Sequence, residues 1–229
     1  MTNIKAPFFE IGPKSYLYGD QILELALAAD AASEKYDVDI IFTCPVVDIR
    51  RVQEATRRIH VFAPHMDPSP VGRGLADILP ESLVAAGAEG VMLNHVEKPV
   101  TFEVLAETIK RAEEVGLTTI VCADSMADAS RIAGLHPDII VAEPSELIGT
   151  GVSVGPEYVA AATDSVKKVD ENILVLTAAG IAGGEDVYNT IMAGADATGA
   201  SSGVAKAADR PAMVDEMISA VRRAWNGRK

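Results

Sequence analysis

At 229 residues, 48% of them apolar, the chain is long enough to bury a large core, and its length suits one big domain or two small ones. Its net charge of −13 argues against holding nucleic acid or an anionic membrane through bulk charge; an anionic substrate must be gripped by local cations and backbone N–H groups. Cys44 and Cys122 fall in separate apolar runs without metal or redox spacing, no secretory leader pattern opens the chain, and no apolar run reaches the roughly 18 residues of a membrane span. A soluble, cytoplasmic protein with buried, reduced thiols is expected.

Short apolar runs alternate with longer amphipathic stretches. The first strand is expected over 7–11 (PFFEI) and the first helix over 20–35, where Ile22, Leu23, Leu25, Ala26, Ala29 and Ala32 share one stripe while Asp30 and Lys35 lie off it. There follow a strand over 37–43, a helix over 45–57, a strand over 60–63, a helix over 80–87, a strand over 90–93 and a helix over 102–115. The second half repeats the alternation: strands over 118–123, 138–142, 172–178 and 195–200, and helices over 126–134, 156–169, 184–193 and 209–225. Strands that are apolar throughout suit a parallel sheet covered on both faces. Eight strand–helix pairs with mostly short connections predict a closed (β/α)8 TIM barrel, one domain over 1–229. A dinucleotide fold is disfavoured, because no GxGxxG follows the first strand. Three connections, 64–79, 94–101 and 143–155, are long enough to be functional or interface-forming.

The run DIIVA stops at Glu143 and Pro144, and an acidic turn and a glycine pair, Gly149 and Gly151, follow. A strand thus delivers a carboxylate to a rim beside a loop able to hinge and to offer bare backbone N–H groups to an anion. Other strand ends carry Gly12-Pro13-Lys14, Asn94-His95-Val96-Glu97, the small-residue loop 178–184 and Gly199-Ala200-Ser201-Ser202-Gly203. In a barrel all of these gather on the C-terminal face, where active sites form and where the loops after strands 7 and 8 commonly bind phosphate. Taken singly they read blandly: Lys14 as a solvated lysine, His95 as a structural histidine, Glu143 as a turn cap, 199–203 as a tight turn. Together a cation, an imidazole, a carboxylate and two phosphate-type loops rarely coincide. His60 and His136 read as structural, His65 receives no role, and Trp225 is expected to pack the last helix.

These segments resemble the triosephosphate isomerase family, especially its short archaeal-type branch. EPSELIGTG is similar to that branch's EPPELIGTG, LNHVE to LNHSE and SGVAKA to SGVTKA; RAEEVGL and GEDV also match, and Lys14 of GPKSY falls on the family lysine. The resemblance implies that Glu143 moves a proton between adjacent carbons of a small phosphorylated sugar, that a neutral His95 polarises the carbonyl, and that Lys14 supplies a fixed positive charge. It implies substrate and phosphate contacts at Gly12, Ile148, Gly149, Gly180, Ser201 and Ser202, a lid that closes over a reactive enediolate, and no metal or organic cofactor. It also implies a homodimer or homotetramer, with no nucleic-acid or membrane partner.

The departures fall near the chemistry. Gly12 stands where the family has asparagine, which leaves room for a larger or differently placed substrate; Val96 replaces a serine that could bond the resting glutamate. Ala178 and Ala182 replace a glycine and a serine, and Leu75-Ala76 replaces a Thr-Gly pair used in subunit contact. Three readings therefore stay open: an isomerase of triose phosphates, a paralogue acting on another short phosphosugar such as a tetrulose phosphate, and an inactive phosphosugar-binding barrel.

Overall fold

The computed structural model describes residues 3–147, 150 and 152–228. Eight parallel strands pair in sequence order and close, β1 to β8, into a barrel: β1 Phe8–Ile11, β2 Asp39–Thr43, β3 His60–Ala63, β4 Gly90–Leu93, β5 Thr118–Ala123, β6 Ile139–Ala142, β7 Leu174–Leu176 and β8 Ala197–Ala200. Between them run α1 Asp20–Tyr36, α2 Ile49–Ala55, α3 Pro80–Ala86, α4 Phe102–Val115, α5 Met126–Ala133, α6 Pro156–Lys167 and α7 Gly184–Met192, and after β8 come α8 Ser202–Ala205 and α9 Arg210–Gly227.

Strand alternation sorts the core into two layers. Phe8, Ile41, Phe62, Met92, Ile120, Cys122, Ile139, Val141 and Leu176 point inward and fill the barrel. Their neighbours Phe9, Ile40, Phe42, Val61, Val91, Val121, Ile140 and Val175 point outward against the helices. Both faces of the strands are thus mostly apolar, which is why the runs do not alternate in sequence. Gly90 opens β4 because a Cβ there would lie 2.3 Å from Cζ of Phe62, whose ring plugs the interior.

The expected elements are all present, with trimmed ends. Asp138 was expected in β6; its carboxylate instead accepts the Thr119 N–H at 2.9 Å, taking over a bond the ladder would have made. The expected helix 45–57 is a 3-10 turn, Val46–Asp48, followed by α2; it ends where Thr56 turns extended and its hydroxyl donates back to the Val52 carbonyl at 2.8 Å. α8 was not expected, since four residues are too few for a helical period to show. Side-chain caps start α4 (Thr101), α5 (Ser125) and α9 (Asp209). The long connection 64–79 is pinned at its base by Asp67, whose N–H donates to the Ile78 carbonyl at 3.0 Å and whose carboxylate accepts the Ile78 N–H at 2.7 Å. Its tip stands in solvent, with Leu75 fully exposed and Val71 70% exposed.

Candidate active site at the C-terminal rim

Lys14 follows β1 at the start of a 3-10 turn, Lys14–Tyr16, and its backbone is left-handed, φ 48°. That region is unfavourable for a residue with a Cβ, and such strain persists where the surroundings over-determine it. Here Pro13 fixes the preceding turn, and Lys14 Nζ is held 2.9 Å from Glu97 Oε1 across the rim.

His95 follows β4. Its neighbour Asn94, also left-handed, donates from Nδ2 to the Cys122 carbonyl at 3.0 Å and accepts the Val100 N–H at 3.2 Å, which fixes the loop on both sides. The Glu97 N–H lies 3.1 Å from His95 Nδ1. A backbone N–H can only donate, so Nδ1 accepts and a neutral ring carries its proton on Nε2. Burial first, and then the Lys14 charge, lower the imidazole below its ordinary value. The neutral histidine that the family resemblance implies thus has a physical cause in this chain.

Glu143 sits just past the end of β6, and its N–H donates to the Ala123 carbonyl at 3.2 Å. Burial raises its carboxyl to about 7; Lys14 opposes the shift and Asp124 adds to it. Among the described residues no side chain donates to this carboxylate, in keeping with Val96 where a serine was expected. A desolvated carboxylate that no described side chain stabilises is poised to take a proton near neutral pH.

One cavity of about 570 Å³ gathers Gly12, Lys14, His95, Glu143, Gly180, Ser201 and Ser202. These are all the expected site residues except Ile148 and Gly149, which lie outside the described residues. Gly180 is left-handed, φ 73°, and a Cβ on it would lie 1.9 Å from the Val152 carbonyl oxygen, so the strand-7 loop and the chain at Val152 meet backbone to backbone. Asp186 shapes this loop by accepting the Ala182 N–H at 2.9 Å and the Ser153 hydroxyl at 3.2 Å. Among the described residues Ser201 Oγ is buried without a hydrogen-bond partner. A buried hydroxyl of this kind is costly unless a ligand atom meets it.

Sequence reasoning passed over several cavity residues. Lys98 and Lys206 line it, and Lys206 Nζ lies 4.8 Å from the centre of the Tyr16 ring. More consequential is Glu10, treated only as part of an apolar strand. It points inward, two residues above Phe8, and accepts a 2.5 Å hydrogen bond from Thr43 Oγ1. The signal was present: a single carboxylate at an inward position of an otherwise apolar run. Glu10 also corrects the expectation of vacant room at Gly12, because a Cβ on Gly12 would lie 2.9 Å from Glu10 Oε1. Part of that space is taken by the carboxyl.

Acid–base groups converging on one rim of a closed (β/α)8 barrel set the chain among barrel proteins built for proton transfer on a small anionic ligand. Comparison with known sequences narrows that class. The family profile described as "Triosephosphate isomerase" matches residues 14–221. The chain is 36% identical to the triosephosphate isomerase of Saccharolobus solfataricus, with 96% of this chain and 99% of that protein covered. It is 34% identical to that of Sulfolobus acidocaldarius, over 98% and 99%, and 35% identical to that of Methanothermus fervidus, over 88% and 91%. The chain belongs to the triosephosphate isomerase family.

Proposed function

We propose that the protein interconverts glyceraldehyde 3-phosphate and dihydroxyacetone phosphate by enediolate proton transfer. The observation that carries this reading is the convergence of a half-buried Glu143, without a side-chain donor among the described residues, an Nε2-protonated His95 and Lys14 on one cavity in a chain of this family. Glu143, as carboxylate, removes the proton from the carbon next to the carbonyl, and the electron pair moves onto the carbonyl oxygen. His95 Nε2–H and the Lys14 ammonium stabilise that oxygen as its charge grows. His95 relays a proton between the two oxygens, and Glu143, now an acid, returns its proton to the adjacent carbon. Gly180, Ser201 and Ser202 receive the phosphate, with the Ser201 hydroxyl, which has no partner among the described residues, as a donor; Ile148 and Gly149 are proposed to close over it. A coupled assay with both triose phosphates tests the reading, and turnover no faster than buffer rejects it.

A second reading, an isomerase of a four-carbon sugar phosphate, rests on altered polar groups and not on added room: Gly12 stands where the resemblance implies an amide, and the Glu10 carboxyl lies against it. Comparing kcat/KM for three- and four-carbon substrates decides between them; a triose preference of several orders rejects the second. The protein is further proposed to act in the cytoplasm as a homodimer or homotetramer. Among the described residues no helix is long and apolar enough to cross a membrane. The exposed Leu75 and Val71 at the tip of the 64–79 connection support an assembly of like chains.

A further inference from the structure

The mechanism above uses three groups and leaves Glu10 without a task. Among the described residues, Glu10 is the one acidic or basic side chain that is buried, 7% exposed, and it lines the same cavity as Lys14, His95 and Glu143. The barrel makes space for it with two glycines. A Cβ on Gly12 would lie 2.9 Å from its Oε1, and one on Gly199, its partner in the β1–β8 register, 2.8 Å from its backbone oxygen and 3.1 Å from its Oε2. Thr43 Oγ1 holds Oε1 at 2.5 Å. Thr43 occupies Oε1, among the described residues no hydrogen bond reaches Oε2, and Glu10 lines the cavity, so Oε2 is the oxygen left for a ligand. A carboxyl buried only for packing has no need of a place in the active cavity, nor of one oxygen left open.

We propose that Glu10 is a fourth ligand-contacting residue, a neutral carboxylic acid that donates a hydrogen bond from Oε2 to an oxygen of the sugar phosphate at the cavity floor. The inference rests on the reading of the cavity as a phosphosugar site. Its protonation state follows from its surroundings. Burial raises the Glu10 carboxyl to about 7; the Thr43 bond opposes this, the Glu143 charge adds to it and the Lys14 charge opposes it. When Glu143 is ionised, as a base must be, a second negative charge beside it is disfavoured, so Glu10 is the carboxyl that keeps its proton. Since Thr43 donates to Oε1, that proton belongs on Oε2. A neutral acid donating to a developing oxyanion does work that a carboxylate would oppose. The other groups facing Glu10 do not replace it: β2 brings Thr43 and β8 brings Gly199, neither charged, and the β5 thiol of Cys122 is pushed well above its ordinary value by burial.

The test compares wild type with Glu10→Gln and Glu10→Ala in kcat/KM across pH, and in affinity for the enediolate mimic phosphoglycolohydroxamate. Glu10→Gln keeps a donor of the same shape and is expected to stay within about 3-fold of wild type at pH 7, while Glu10→Ala loses on the order of 10- to 100-fold in kcat/KM and in mimic affinity. Wild type is expected to lose kcat/KM as pH rises through about 7, and Glu10→Gln to lack that descending limb. A wild-type profile and affinity in Glu10→Ala overturns the proposal, as does a descending limb unchanged in Glu10→Gln, which reads out even if the alanine variant fails to fold. A wild type that binds the mimic but turns over no triose phosphate rejects the proposed function alone, and the role of Glu10 is then decided by the mimic affinities. A wild type that neither binds nor turns over rejects both.

Discussion

Two carboxyls, Glu143 and Glu10, line one cavity and are both raised to about 7, mainly by burial. Glu143 is useful only when ionised, so activity should be lost as pH falls below about 7. Replacing it by glutamine should lower kcat by about 10²- to 10⁴-fold with a smaller effect on KM, measured in the coupled triose phosphate assay. Glu10 also makes a prediction about stability, and its sign is the less usual one. Its folded value lies above the ordinary 4.5, so the unfolded chain gives up the proton first. Stability therefore falls as pH rises from about 4.5, and above about 7 the whole cost is present, on the order of 3 kcal/mol at most. Glu10→Gln should raise the melting temperature at pH 8, by about 2–4 °C per kcal/mol relieved, and the gain should shrink towards pH 5. Parallel melting curves at the two pH values would show that the carboxyl is not desolvated as described.

At the scale of elements, the site is a set of loop junctions, each held by a contact that strand and helix patterns do not reveal. Asn94 clamps the loop after β4 to β5 and to its own far end. Gly180 lets the loop after β7 lie against Val152. Gly180→Ala must push the two backbones apart and place a Cβ at φ 73°. We expect at least a 10-fold loss in kcat/KM with a melting point lowered by only a few degrees, since the strained contact lies on the rim and not in the core. Steady-state kinetics beside calorimetry separates the two, and unchanged kinetics would show that this contact does not shape the site.

For the molecule as a whole, closure of the barrel brings residues 14, 95, 143, 180 and 201 to one cavity although they are spread over most of the chain. Closure also leaves the apolar tip of the 64–79 connection uncovered, with Leu75 fully exposed. If like chains meet there, the native mass should be a multiple of 24.1 kDa, and Leu75→Glu should shift it towards the single chain in sedimentation velocity. The charge of −13 already set on each chain opposes association at low salt, so assembly should tighten as salt is added.

The sequence by itself determined the barrel, because eight apolar runs separated by amphipathic stretches of fitting length admit few other closed arrangements. It also determined that Lys14, His95 and Glu143 stand at strand ends, since a motif at the end of an apolar run needs no tertiary contact to be placed there. It could not determine the tautomer of His95, which depends on one backbone N–H two residues away, nor the raised carboxyl of Glu143, which depends on how much water the neighbouring strands exclude. Position 12 is the clearest case. In the sequence Gly12 reads as a lost side chain and vacant room. In the folded barrel Glu10, Gly12 and Gly199 are one arrangement, a carboxyl turned inward and the two missing Cβ atoms that make space for it. The inward turn of β1 and its register with β8 decide this, and both exist only once the barrel has closed.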